Sequence, residues 1–263
     1  YGELTMDEKD ISDWKILNKY DFKLLPGEPN KMPEGDYSYY QYLNSRWQET
    51  GKNVLCQEFL LKDLKEKDLV VVEPFGGCGV FSVAIQKLLE PEHHIIGELD
   101  EACVKQLNYI MADYKGVSVF KEDAHERLGV IPADIYVCDF PFFTYIRHEE
   151  GLWRKEMERM TSHDPKAIII TDGSSCRWHF MVEHLLNRDV YVTDNREIYA
   201  PAFSLLMERL YKYHVTAMGY HGTCFYIKIE PKRSSTYPII EYKNIPAGKG
   251  HNGLKPVGGK LDV

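Results

Sequence analysis

The sequence LVVVEPFGGCGVFSVAI, from Leu69 to Ile85, joins a short apolar run to a glycine-rich turn and a second apolar segment. The apolar run predicts a buried strand that ends at the carboxylate of Glu73. The glycines predict a tight turn, because glycine adopts positive φ angles. The missing Cβ also lets a ligand approach the backbone. From Val80 onwards the apolar residues have helical spacing. A buried strand that turns through glycines into a helix is typical of a site for a small molecule.

The composition is that of a folded, acidic protein. Hydrophobic residues make up 44% of 263 residues, which excludes a wholly disordered chain, and the net charge of −8 argues against a surface that is basic overall. No apolar run is long enough for a membrane span. The cysteines stand singly without ligand spacing, which predicts buried thiols, no metal site and a cytoplasmic or other reducing compartment. His93 and His94 precede a strand at a turn and are expected at the surface.

Strands and helices alternate along most of the chain. Strands are predicted at 69–73, 94–99, 117–121, 134–138 and 166–171. Helices are predicted at 54–64, 80–89, 102–114 and 202–213. This alternation predicts right-handed crossovers and a largely parallel sheet. Two alternating runs, 215–220 and 223–229, surround the His221-Gly222 turn and predict an antiparallel hairpin at the end.

The chain divides into three predicted regions. Residues 1–53 form an N-terminal extension, a lid or a substrate-binding segment, and residues 54–230 form the main α/β domain. Residues 231–263 are rich in Gly, Pro and Lys and predict a loosely ordered basic tail. The aromatic cluster Tyr37–Trp47 in the extension either packs on the core or forms a wall for a planar ligand.

Four predicted strands end at or near a carboxylate. These residues are Glu73, Glu98, Asp123 and Asp139. Ligands bind at the carboxyl ends of the strands of an open α/β sheet, and packing alone does not explain buried carboxylates there. Glu98 follows Gly79 by 19 positions, about the distance at which an acidic side chain accepts hydrogen bonds from ribose hydroxyls. The ligand is therefore expected to contain a ribose and an adenine.

A nicotinamide dinucleotide is the first alternative ligand. Its fingerprint requires a third small residue, and Gly77-x-Gly79-x-x-Ser82 offers a serine at that place. Glu73 would also bring a negative charge close to a pyrophosphate. A cationic ligand fits this turn better.

Val72–Gly79, VEPFGGCG, resembles the first motif of class I S-adenosylmethionine-dependent methyltransferases, especially the D-P-F-x-G-S-G form of amino-methylating enzymes. Gly97–Asp100 resembles the second motif of the family, and Lys121–Ala124 resembles the third. The resemblance covers roughly residues 54 to 230. It implies a Rossmann-like class I methyltransferase fold, with a mostly parallel seven-stranded sheet and an antiparallel C-terminal hairpin, and S-adenosyl-L-methionine as the cofactor.

The resemblance also implies which residues hold the cofactor. Its amino-acid end would contact Glu73, Phe75, Gly76, Gly77 and Gly79. Glu98 would bind the ribose hydroxyls, and Leu99 would pack on the adenine. Asp123 would accept a hydrogen bond from the adenine amino group, with the Ala124 N–H facing the ring. Capping of a helix ahead of Glu126 is the alternative role for Asp123.

The end of the fourth strand, Asp139-Phe140-Pro141-Phe142, resembles the (D/N)-P-P-(Y/F) motif of enzymes that methylate exocyclic or amide nitrogens. An acceptor such as Asp139 would draw the N–H hydrogens and aim the nitrogen lone pair at the methyl group. Phe142 would stack on the planar substrate. Pro141 keeps one of the two rigid rings of the motif, since Phe140 replaces the first proline. A strand end followed by a hydrophobic turn is the alternative.

Two other chemistries find little support in the sequence. Methylation of a pyrimidine carbon needs a thiolate, and Cys138 lies inside the strand, where its side chain should point away from that of Asp139. The segment Asp172-Gly173-Ser174-Ser175 lacks the G-x-S-x-G pattern of a hydrolase.

Cations follow the predicted catalytic motif and recur in the tail. They are Arg147, Arg154, Lys155, Arg159, Lys232, Arg233, Lys243, Lys249, Lys255 and Lys260. They would meet the phosphates of DNA or RNA, although an ordinary solvated surface explains them equally well.

The leading hypothesis is methylation of an amino nitrogen of a nucleic-acid base, of the adenine exocyclic type. The alternatives are methylation of a small molecule or a protein amide, and a non-catalytic cofactor-binding subunit that serves a protein partner through Tyr37–Trp47.

Overall fold

A computed structural model describes residues 19–23, 25, 54–138, 152–172, 196–221, 224–233 and 239–245 of the chain. The strands are β1 (Val70–Glu73), β2 (His93–Glu98), β3 (Val117–Lys121), β4 (Ile135–Cys138), β5 (Ala167–Asp172), β6 (Tyr213–His221), β7 (Cys224–Pro231) and β8 (Glu241–Asn244). Residues 54–61 are helical and are called α1. The later helices are α2 (Val80–Leu89), α3 (Glu101–Met111), α4 (Ala124–Arg127), α5 (Leu152–Ser162) and α6 (Arg196–Tyr211).

The strands form one sheet in the order β3-β2-β1-β4-β5-β7-β6-β8. Strands β1 to β5 pair in parallel, and β7 runs antiparallel to both β5 and β6. The predicted fold class, a Rossmann-like and mostly parallel sheet with an antiparallel C-terminal hairpin, is confirmed. The predicted number of strands was wrong, because the described sheet has eight strands instead of seven.

The eighth strand lies in the segment that the sequence analysis assigned to a loosely ordered tail. Strand β8 pairs in parallel with β6, and the Ile245 N–H donates to the Tyr220 carbonyl at 2.8 Å. Nζ of Lys62 also forms an ion pair with Oε2 of Glu241 at 3.1 Å. The sheet therefore continues beyond residue 230, where the main α/β domain was predicted to end. Residues 234–238 and 246–263 of the predicted tail lie outside the described residues.

Alternate residues of the central strands pack against two layers of helices. In β1, Val71 belongs to a core shared with α1, α2 and α3, whereas Val72 belongs to a core shared with α5 and α6. This alternation is the expected consequence of the two-residue period of a strand. Both faces of the central sheet are therefore buried, and a ligand can reach the sheet only at the ends of its strands.

Part of the predicted N-terminal extension packs on the first of these layers. The Gln106 side chain of α3 accepts a hydrogen bond from the Leu25 N–H and donates one to the Lys23 carbonyl, both at 2.7 Å. Tyr20 and Phe22 are buried in the same core as α1 to α3. Residues 19–23 and 25 thus belong to the folded body, and the aromatic cluster Tyr37–Trp47 lies outside the described residues.

The described helices include none with the length and apolar character that crossing a membrane requires.

Candidate cofactor site

The parallel strands bring several predicted site residues to one edge of the sheet. Glu73 is the last residue of β1, Glu98 is the last residue of β2, and Asp123 follows β3 by two positions. The register pairs Glu73 with Ile96 and Glu98 with Lys121, so Glu98 lies two residues further along than Glu73. The predicted catalytic residues Asp139, Pro141 and Phe142 lie outside the described residues.

The glycine turn is pressed against β2 and α3. The Gly76 N–H donates to the Gly97 carbonyl at 2.9 Å, and a Cβ added at Gly76 would lie 2.4 Å from Cγ2 of Ile96. Gly79, with φ of 83°, caps α2, and a Cβ there would lie 3.0 Å from the side chains of Leu107 and Ile110. Only glycine fits at these two positions without displacing neighbours.

Gly77 has a different environment. Its φ of 51° is left-handed, but a Cβ added there would meet no atom of the described residues within 4 Å. The backbone conformation favours glycine, and space is left beside it. Gly77 therefore marks the open side of the turn, from which a ligand can reach the backbone.

The Glu98 carboxylate joins the end of β2 to the glycine turn. Its Oε2 accepts a hydrogen bond from the Gly77 N–H at 2.7 Å. Its Oε1 accepts from the N–H groups of Leu99 at 2.7 Å and Asp100 at 2.8 Å. Because a carboxylate has about four lone-pair positions, these three bonds leave about one for a ribose hydroxyl. The two predicted halves of the site are thus in direct contact.

The predicted adenine residues lie on either side of Glu98. Leu99 is 63% exposed, so its side chain is free to pack on a planar ring. Asp123 directly precedes α4, and its carbonyl accepts a hydrogen bond from the Glu126 N–H at 3.0 Å. Ala124 is buried. These positions fit adenine binding and helix capping equally, so the role of Asp123 stays a prediction.

Glu73 is fully buried and belongs to a chain of polar side chains that the sequence analysis missed. Its Oε2 accepts a hydrogen bond from Oγ of Ser82 at 2.7 Å and lies 3.1 Å from Nε2 of His94. Nδ1 of His94 lies 3.0 Å from Nε2 of Gln86. The expectation that His94 lies at the surface was wrong, whereas His93 is exposed. The spacing of His94 and Ile96 on one face of β2 was the available signal.

Cys56, Cys78, Cys103 and Cys138 are buried thiols. Sγ of Cys138 lies 4.0 Å from Sδ of Met160, in the core shared with α5 and α6. Burial raises the pKa of the Cys103 thiol, and the neighbouring Glu98 carboxylate raises it further. Neither thiol has the exposure of a nucleophile. The described residues also contain no cluster of His, Cys, Asp and Glu that could hold a metal ion.

The cations predicted to meet phosphates occupy different settings. Arg154 and Lys155 are exposed on α5, and Arg159 is half-buried there. Lys232 forms an ion pair with Glu208. Arg147, Lys249, Lys255 and Lys260 lie outside the described residues.

No protein-family model matches the chain, and no curated protein matches it. Among solved structures it resembles a Pyrococcus horikoshii protein assigned as an RNA methyltransferase, with 15% identity, a TM-score of 0.47, and coverage of 83% of this chain and 98% of the other. It also resembles an rRNA methylase from Streptococcus thermophilus, with 11% identity, a TM-score of 0.45, and coverage of 66% of this chain and 93% of the other. A Listeria monocytogenes protein assigned to the class I S-adenosylmethionine-dependent methyltransferases has 13% identity and a TM-score of 0.49, with coverage of 92% of this chain and 75% of the other.

Proposed function

We propose that the chain is an S-adenosylmethionine-dependent methyltransferase that acts on an amino nitrogen of a nucleic-acid base. The observation that carries the cofactor assignment is the hydrogen bond from the Gly77 N–H to the Glu98 carboxylate. It unites an acidic side chain suited to ribose hydroxyls with a glycine turn that is open on one side. Leu99 supplies an exposed apolar surface beside Glu98 for the adenine.

The charge of the site supports a sulfonium cofactor over a dinucleotide. Glu73 and Glu98 both lie at the turn, where a pyrophosphate would bring further negative charge. In a dinucleotide site the third small residue of the fingerprint packs the helix against the strand. Here Ser82 occupies that position and donates a hydrogen bond to Glu73, which stabilises the buried carboxylate. A cationic ligand with a ribose satisfies both carboxylates.

The proposed reaction is the transfer of a methyl group to a conjugated amine. The bound cofactor supplies an electrophilic methyl group on a sulfonium sulfur. Asp139 accepts a hydrogen bond from the substrate N–H and turns the nitrogen lone pair towards that methyl group. Transfer would break the S–CH3 bond and form the N–CH3 bond, S-adenosylhomocysteine would be the leaving product, and the nitrogen would give up a proton to Asp139 or to water. Phe142 would stack on the base, and Pro141 would restrain the backbone between Asp139 and Phe142.

A nucleic-acid substrate is supported by the exposed cations of α5. Arg154 and Lys155 follow the predicted catalytic segment in the chain, and exposed cations can hold the phosphates that adjoin a bound base. A base within a duplex must be flipped out or already unpaired to reach such a site.

The test is transfer of tritiated methyl groups to separate preparations of DNA, RNA, protein and small metabolites. We expect label in the DNA or RNA fraction, on an exocyclic amine, and its loss in Asp139→Ala. Label in protein or in small molecules alone would contradict the substrate assignment. Cofactor binding without transfer to any preparation would favour a non-catalytic subunit, and undiminished transfer by Asp139→Ala would exclude the catalytic role of Asp139.

A further inference from the structure

The buried polar chain Ser82–Glu73–His94–Gln86 lies directly behind the glycine turn. Glu73 ends β1, Ser82 and Gln86 lie on α2, and His94 lies on β2. All four side chains are buried, so water does not compete for their hydrogen bonds. The chain therefore connects the three elements that shape the turn.

The hydrogen bonds define where the proton of His94 lies. Nδ1 of His94 lies 3.0 Å from Nε2 of Gln86, and the two atoms share a hydrogen bond. A carboxylate oxygen accepts, so Nε2 of His94 carries a hydrogen and donates it to Oε2 of Glu73 at 3.1 Å.

The two oxygens of the Glu73 carboxylate have different surroundings. Oε2 of Glu73 receives two donors, from Ser82 and His94, whereas its Oε1 has no hydrogen-bond donor within the described ranges. A buried carboxylate is strongly destabilising unless a cation or further donors compensate it. A ligand group that donates to Oε1 would supply this compensation.

We propose that Ser82, His94 and Gln86 are positioning residues, which hold Oε2 of Glu73 so that Oε1 accepts the ammonium group of a ligand at the glycine turn. The inference rests on the proposed function, because the ligand with this group is S-adenosylmethionine. Gln86 contacts the other ring nitrogen of His94 and so fixes the orientation of the ring. His94 acts on the ligand only through Glu73.

Two substitutions of His94 separate this role from simple support of the fold. The amide of His94→Gln can reach Glu73 as Nε2 does, whereas the shorter amide of His94→Asn replaces Nδ1 and cannot. Two thioether ligands provide the matching comparison: S-adenosylhomocysteine carries the ammonium and carboxylate of the amino-acid end, and methylthioadenosine lacks them. Affinities are measured by calorimetry, after thermal denaturation has shown that each variant is folded.

We expect His94→Asn to weaken binding of S-adenosylhomocysteine on the order of 10- to 100-fold, as for the loss of a hydrogen bond to a charged group. Binding of methylthioadenosine should be unchanged, and His94→Gln should restore most of the lost affinity. Equal weakening of both ligands, or unchanged binding of both, would overturn the positioning role. If the wild-type protein bound neither these ligands nor S-adenosylmethionine, the proposed function itself would fail.

A measurement on the unaltered protein tests the same inference if a variant does not fold. Nitrogen-15 NMR of labelled histidine should show a hydrogen on Nε2 of His94, both with and without S-adenosylhomocysteine. An Nε2 without a hydrogen could not donate to Glu73 and would overturn the inference.

Discussion

The Glu98 carboxylate accepts a hydrogen bond from the Gly77 amide at 2.7 Å, which fixes the end of β2 to the turn that follows β1. The same carboxylate accepts from the amides of Leu99 and Asp100. One side chain therefore shapes both the turn and the start of α3. This double role means that substitutions at Glu98 should affect the fold and the ligand together.

Glu98→Ala should lower the free energy of unfolding by about 1.5–3 kcal/mol, because the amides lose an acceptor that carries charge. It should also weaken binding of S-adenosylmethionine, since the acceptor for the ribose is lost. Chemical denaturation and calorimetry measure the two effects. Glu101→Ala is the matched control: Glu101 is an exposed acid on α3 that pairs with Lys121, and its loss should leave cofactor binding unchanged.

Gly76→Ala and Gly77→Ala should differ in which property they damage. At Gly76 the new methyl group would clash with Ile96, and overpacking of this kind destabilises by about 1–3 kcal/mol. At Gly77 the left-handed backbone disfavours alanine by roughly 1–2 kcal/mol, but the methyl group enters open space. For an equal loss of stability, Gly77→Ala should therefore weaken cofactor binding more than Gly76→Ala does. The opposite order would place the ligand away from Gly77.

Two isoleucines test whether the region after residue 230 belongs to the sheet. Ile245 is buried in the core shared with α1 to α3, whereas Ile239 is 91% exposed. Ile245→Ala should lower the free energy of unfolding by about 2–5 kcal/mol. Ile239→Ala should change it by no more than about 0.5 kcal/mol. Similar small effects in urea denaturation would mean that β8 and Ile245 are not docked.

His214 predicts a pH dependence of stability. Desolvation by burial lowers the pKa of His214 from its ordinary value of 6.5, and nearby carboxylates of Glu230 and Glu208 oppose this shift. The unfolded chain therefore binds a proton at a higher pH than the folded chain does. Stability supplied by the neutral ring is present above pH 6.5 and is lost as the pH falls from that value through the folded pKa.

His214→Gln should reduce the loss of stability on acidification below pH 6.5, as measured by denaturation at a series of pH values. His93→Gln, at an exposed histidine at the start of β2, is the control and should leave the wild-type pH profile in place. A His214→Gln profile that follows the wild-type one would show that this ring does not control the acid response.

The sequence predicted the elements with strong local patterns. Val80–Leu89 and Val117–Lys121 have their predicted bounds, because glycine or proline and apolar spacing mark their ends. Helix α6 begins at Arg196 instead of residue 202, with Pro201 inside it, which tertiary packing allows. Strand β8, EYKN, has no apolar alternation, and only its pairing with β6 reveals it.

Within the candidate site, the sequence predicted the acids and glycines but could not predict the side chains that contact them. Glu73 was predicted from its place at the strand end, whereas its contacts with Ser82 and His94 depend on how α2 and β2 pack together. Ser82 was read only as a departure from the dinucleotide fingerprint. Such contacts between distant residues have no periodicity, so three-dimensional packing alone shows them.

Calorimetric titration of the purified protein with S-adenosylmethionine and, separately, with a nicotinamide dinucleotide tests the central claim most directly. The account predicts saturable binding of S-adenosylmethionine, weakened in Glu98→Ala and retained in Glu101→Ala, and no binding of the dinucleotide. Binding of the dinucleotide without binding of S-adenosylmethionine, or equal binding by the two variants, would contradict it.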